Sequence, residues 1–223
     1  ASQNSAAVYG VGIGLLGGIL LGMVGLRSAR LTLRVRWIFT ALIASVILRA
    51  LADRGVLGYW WLDVPGSLHS ITQLSGCLLS IAHVLLCWDF LRQRQALMPR
   101  FRPLLITVIL ANLIWMLTSV AWLPNQWLPI ADALRWFGLT VIIAALWKPA
   151  QQVVAGASWY RAIMLTAIVG QACNDAALQG WLPFWAEPYQ SIISWHLLAV
   201  PMLLHALEQP TQPSLPELKQ SSP

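Results

Sequence analysis

Gln171, Asn174 and Asp175 stand at i, i+3 and i+4 within an apolar run, so on a helix the three polar groups share a face with Leu178. A carboxylate and two amides surrounded by apolar residues suit a bound ligand, a transferable proton or a closed ion pair. Asp175 lies about one and a half turns from the end of its run at Gly180, within reach of water. Arg49 lies about one turn inside the matching end of another run, so an Arg49–Asp175 ion pair is the structural alternative to a ligand or proton site. His196, in the last run, joins these residues as a ligand-binding or transduction candidate.

His69, Gln73, Gly76, Ser80, His83 and Cys87 form a second polar stripe at helical spacing. Counted at about 1.5 Å per residue, His83 and His205 fall at similar depth in their runs. Two neutral imidazoles at one depth permit bis-histidine haem or metal ligation. The competing reading is two hydrogen-bonded histidines on packed faces. Cys77, Cys87 and Cys173 are odd in number and lack CxxC spacing, which argues against a disulfide framework or a zinc site. No HExxH, GxSxG or glycine-rich phosphate loop is present, so no catalytic residues and no dedicated metal site are expected. The last run has no lysine for retinal, and Asp175 has no partner carboxylate for ion transport.

These groups must be positioned by membrane-spanning helices. Hydrophobic residues make up 58% of the 223 and charged residues only 10%, against roughly 25% charged in an average soluble domain. A spanning helix needs about 20 mostly apolar residues. Seven such segments are predicted: Val8–Leu26, Trp37–Leu51, Leu68–Leu91, Pro103–Trp122, Leu128–Leu146, Trp159–Gly180 and Ser191–Leu207. Residues 1–7 form a short polar lead, residues 8–207 the transmembrane domain, and residues 208–223 a Pro-, Gln- and Ser-rich tail or linker.

Charge sorts the connections. Arg27, Arg30, Arg34 and Arg36 occupy the first, Arg92, Arg94, Arg100 and Arg102 the third, Lys148 and Arg161 the fifth, and Lys219 the tail. The even-numbered connections hold Arg54 and Arg135 with Asp53, Asp63, Asp132 and Glu187. The positive-inside rule then places the amino terminus outside and the carboxyl terminus in the cytoplasm, in a multi-pass protein of the inner (cytoplasmic) membrane. The net charge of +6 follows from this topology and requires no nucleic-acid partner.

In the first segment Gly10, Gly14, Gly18 and Gly22 recur every fourth residue, a groove that lets another backbone approach closely. It fits packing within the same bundle or a homodimer face. Pro201 removes one backbone hydrogen bond from the last segment, giving a kink that is either static or mobile.

The order of these parts resembles the seven-helix membrane domain of bacterial receptors with diverse intracellular signalling modules. The resemblance covers about Val8–Glu208. It rests on a Gly- and Leu-rich first helix (GIGLLGGILLGMVG), an outer connection with aromatics (LGYWWLDVPGS), a third helix ending in DFLRQRQ, a sixth ending in LQGWLP, and a last helix closing as LLAVPMLLHALEQ. It implies an extracellular sensory domain before the first helix and a kinase or cyclase after the last, so the chain reads as the membrane core of a larger receptor. The expectation is an all-α, seven-transmembrane sensor without enzyme activity of its own, passing an outer-side or intramembrane signal to a cytoplasmic signalling domain or protein. No cofactor is expected on this reading. The alternative is a small transporter or a haem-binding redox membrane protein.

Overall fold

The computed structural model describes residues 3–27, 31–53, 67–121, 128–152, 154–178, 181 and 199–208. Among the described residues there are seven helices and no strand: α1 (Gln3–Leu26), α2 (Leu33–Asp53), α3 (Ser67–Gln93), α4 (Phe101–Ala121), α5 (Leu128–Gln151), α6 (Ala157–Leu178) and α7 (Ala199–Glu208). Four stretches, Leu33–Ala52, Ile71–Gln93, Phe101–Thr118 and Ala133–Gln151, are long and apolar enough to cross a membrane. The apolar parts Gly10–Leu26 and Ala199–Glu208 are shorter.

Local chemistry sets the helix ends. The Thr32 hydroxyl accepts the Val35 N–H at 3.3 Å, an N-cap that opens α2. At the far end of α3 the Ala96 N–H donates to the Leu91 carbonyl at 2.9 Å, and Gln95 takes the left-handed conformation at φ 52°. That is a Schellman closure with glutamine where glycine is usual. Pro103 falls in the first turn of α4, where its missing N–H leaves no helical bond unmade. Hydroxyls inside the apolar helices bond within their own helix: Ser45 donates to the Ala41 carbonyl at 2.7 Å and Thr140 to the Trp136 carbonyl at 2.9 Å. Such back-bonding satisfies a polar group where water is absent. Pro201 is the third described residue of α7, so the kink expected there lies mostly outside the described residues.

α3 is the central helix and packs against α2, α4 and α5, while α6 packs chiefly on α5 and α1 on α2. The main core is built from Phe39, Leu42 and Ile43 of α2, Leu86, Phe90 and Leu91 of α3, Leu105 of α4, Ile142 and Leu146 of α5, Tyr160 and Met164 of α6, and Leu203 and Leu204 of α7. Phe90 meets Tyr160 edge-on at 5.1 Å between ring centroids. Outward-facing apolar side chains are numerous, among them Val11, Leu15 and Leu26 of α1, Ile114 and Leu117 of α4, and Val169 of α6. Helices apolar on both their inner and outer sides are suited to a lipid surround.

α1 meets α2 through Ile13, Gly17, Leu20 and Val24. The glycine stripe drifts off this contact, because a four-residue step on a 3.6-residue helix advances by about 40°. Gly10 is half-buried; Gly14, Gly18 and Gly22 are exposed, with open space where a side chain would go. The glycine that packs is Gly17, where a Cβ would run into the Ile47 side chain.

Candidate functional site

Polar chemistry concentrates at two places along α3. The first is the basic end of the bundle. Arg94, in the turn after α3, donates from Nε to the Ala155 carbonyl at 2.7 Å and from one terminal nitrogen to the Ala206 carbonyl at 2.8 Å. The same nitrogen lies 3.4 Å from the Leu207 carbonyl. Its guanidinium carbon sits 4.2 Å from the Phe90 ring centroid, a cation–π contact. Burial pulls the Arg94 pKa below its ordinary value, yet the carbonyls and the ring all face a cation. One side chain therefore joins the end of α3, the α5–α6 turn and the last carbonyls of α7. Gly156 completes the joint at φ 79°, with the Ala206 carbonyl where a Cβ would stand.

Ion pairs surround that joint. Arg27, just past α1, meets Glu208 at the end of α7 at 3.1 Å. Arg34 at the start of α2 meets Asp89 of α3 at 3.0 Å. The Arg161 guanidinium lies 5.0 Å from the Trp147 ring, linking α6 to α5. The first, third and fifth basic connections thus lie at one end of the bundle. The end of α1 and the end of α7 are together there, so α1 begins and α7 finishes at opposite ends.

The second place lies toward the other end, where α2, α3, α4 and α5 leave a small polar pocket. Arg49 of α2 and Arg135 of α5 line it, with Gln73, Gly76 and Cys77 of α3 between them. Asn112, Trp115 and Leu134 complete the lining, and the empty space, open mouth included, is about 220 Å³. Gly76 lets Arg49 lie against α3: an added Cβ there would be 2.8 Å from a guanidinium nitrogen. Asn112 is buried and donates its amide to the Val108 carbonyl at 2.8 Å. The Trp115 indole N–H is buried and has no hydrogen-bond partner among the described residues. Beneath it Cys77, Trp115, Met116 and Leu134 form a small apolar cluster separate from the main core.

The expected site residues divide between these places and outside them. Arg49 lines the pocket. Gln171 is half-buried on α6; the side chains of its neighbours Asn174 and Asp175, and all of His196, lie outside the described residues, so the Arg49–Asp175 pairing does too. Arg135, counted with an outer connection although the predicted segment begins at Leu128, lies two turns inside α5 and lines the pocket. The second stripe is a packing face: Gln73 and Gly76 line the pocket, whereas His83 and Cys87 are buried in α3 farther along. His83 Nδ1 bonds the Leu79 carbonyl at 2.8 Å, and the Tyr160 hydroxyl donates to the His83 carbonyl at 3.4 Å. His205 is exposed on α7. Among the described residues no cluster of His, Cys, Asp or Glu could hold a metal ion. Trp115, Asn112 and Arg94 were not expected as functional residues; only the scarcity of charge within the apolar segments pointed toward the pocket. Comparison with protein-family models, curated proteins and solved structures finds no match to this chain.

Proposed function

We propose that this chain is the multi-pass core of a signal transducer in the cytoplasmic membrane. On this reading seven helices cross the bilayer with the amino terminus outside, and a change at the outer pocket is passed to whatever follows Glu208 in the cytoplasm. The supporting observation is that α3 serves both polar places. Gln73, Gly76 and Cys77 line the pocket, and Arg94 in the turn after α3, stacked on Phe90, holds the end of α7. Cys77 and Arg94 are about 25 Å apart along the helix axis at 1.5 Å per residue, most of a hydrocarbon core of about 30 Å. A stiff helix of that length carries a tilt or shift at one end to the other.

The sorting of basic residues to the end that holds α7 supports a cytoplasmic position for that end. Transduction further requires two packing arrangements of similar free energy, so that a small bias at the pocket shifts their populations. The reading is tested by topology. Ser5→Cys should react with a membrane-impermeant maleimide in intact cells, and Ser214→Cys only after permeabilisation. Reaction of both in intact cells would remove the transducer reading.

A further inference from the structure

We propose that the seam between α5 and α6, at the basic end of the bundle, binds an anionic phospholipid. The inference goes beyond the transducer reading and requires only that α5 lies in a bilayer. Lys148 is exposed in the last turn of α5, and Arg161 stands one turn into α6. The Arg161 guanidinium lies 5.0 Å from the ring of Trp147, the residue before Lys148, so the two cations come from adjoining helices at one level. Neither side chain makes a hydrogen bond or ion pair with the described residues. Elsewhere at this end the charges are engaged: Arg94 with main-chain carbonyls, and the described carboxylates Asp89 and Glu208 with Arg34 and Arg27. The ring contact places Arg161 while leaving its fork of N–H donors for phosphate oxygens.

Below these cations α5 offers a place for an acyl chain. Between Phe137 and Trp147, both exposed, its outward face carries only Thr140 and Ala144. The Thr140 hydroxyl is bonded to the Trp136 and Phe137 carbonyls, so the floor of this notch is apolar. The notch is about 15 Å long at 1.5 Å per residue, half of a hydrocarbon core of about 30 Å and so the depth of one leaflet. Leu165, exposed one turn beyond Arg161, continues the apolar surface on α6. Trp147 and Trp159, each about half-exposed, stand where amphipathic rings meet headgroups, which sets Lys148 and Arg161 at phosphate depth. Two cations favour a lipid with net negative charge. A zwitterionic lipid brings its own ammonium to the phosphate and leaves one cation uncompensated.

Native mass spectrometry of the full chain, released from mixed micelles, tests the seam by counting retained lipid as phosphatidylglycerol or phosphatidylcholine is titrated. One phosphatidylglycerol should bind about tenfold or more tightly than phosphatidylcholine. Lys148→Gln combined with Arg161→Gln should weaken it by about tenfold or more, since each cation near the headgroups contributes roughly fivefold. Arg102→Gln, which removes an exposed cation of α4, should change it by less than about twofold. Ala144→Trp fills the notch without touching charge and should weaken binding by about fourfold or more, the equivalent of one methylene left uncovered. Glycerol 3-phosphate, a head without chains, should not displace the lipid. Equal binding of the two lipids, equal losses in Arg102→Gln and the double variant, or displacement by glycerol 3-phosphate would overturn the proposal. Should the double variant not fold, the parent's melting temperature decides. A saturable rise with phosphatidylglycerol that Ala144→Trp reduces supports the seam; a rise that is absent, or unchanged by that substitution, overturns it.

Discussion

At one end of the bundle Arg94 donates to main-chain carbonyls of two other segments, whereas toward the other end Arg49 and Arg135 border a gap beside a buried indole N–H with no described acceptor. Arg94 replaces water at the last carbonyls of α7, a helix terminus where a cation is favoured. Its partners are backbone atoms fixed by the fold, and the core of Phe90, Tyr160 and Leu203 lies directly beneath. The pocket guanidiniums instead stand over a thin apolar cluster. Dense packing with matched donors makes a joint, whereas the sparser packing at the pocket leaves the Trp115 indole N–H without a described acceptor.

The sharpest attack on the comparison is Gly156→Ala. It places a Cβ into the Ala206 carbonyl and forces alanine into left-handed backbone, which alone costs about 1–2 kcal/mol. A loss of roughly 3 kcal/mol or more is expected in detergent unfolding, with α7 amides exchanging faster than those of α2. Arg94→Gln comes next, at about 1.5–3 kcal/mol, the range for a lost charge-assisted hydrogen bond. Arg94→Lys should recover less than half of it, because a point charge cannot span carbonyls from two segments. Equal stability of the Lys variant and the parent would make the joint a matter of charge alone.

Smaller effects sharpen the contrast. Arg34→Ala removes a pair whose arginine is half-exposed while Asp89 is buried, and about 1 kcal/mol is expected, falling as salt is added. On α1 two neighbouring glycines should separate cleanly. Gly17→Leu drives a side chain into Ile47 and should lower the melting temperature, whereas Gly18→Leu enters open space and should leave it within the equivalent of about 0.5 kcal/mol. A fall in cross-linked dimer for Gly18→Leu with an intact fold would assign that face to a second copy of the chain.

Much of the helical architecture was legible in the sequence, because a run of about 20 apolar residues has few alternatives to a helix. The charge pattern likewise foretold which connections share an end, and Arg27–Glu208 and Arg34–Asp89 join them there. The site was legible only in part. Arg49 stood out as a charge inside an apolar segment. Arg135 was counted with a connection for its charge, although the predicted segment, like α5, begins at Leu128 and contains it. Trp115 was hidden as one of thirteen tryptophans, with nothing in the sequence to mark an indole N–H that its fold leaves without a described acceptor. Arg94 looked like one more positive charge, since its carbonyl partners lie 61 and 112 positions away and helical periodicity fixes no register between helices. The stripes of α1 and α3 show the same gap: spacing gave the face, and only packing gave what the face meets.

The claim that α3 couples the pocket to the α7 joint is tested most directly by a double-mutant cycle with Trp115→Phe and Arg94→Gln, read as unfolding free energy in mixed micelles. Residues this far apart that share no partner add to within about 0.3–0.5 kcal/mol. A shared two-state α3 predicts an interaction energy of about 1 kcal/mol or more, and strict additivity would contradict it.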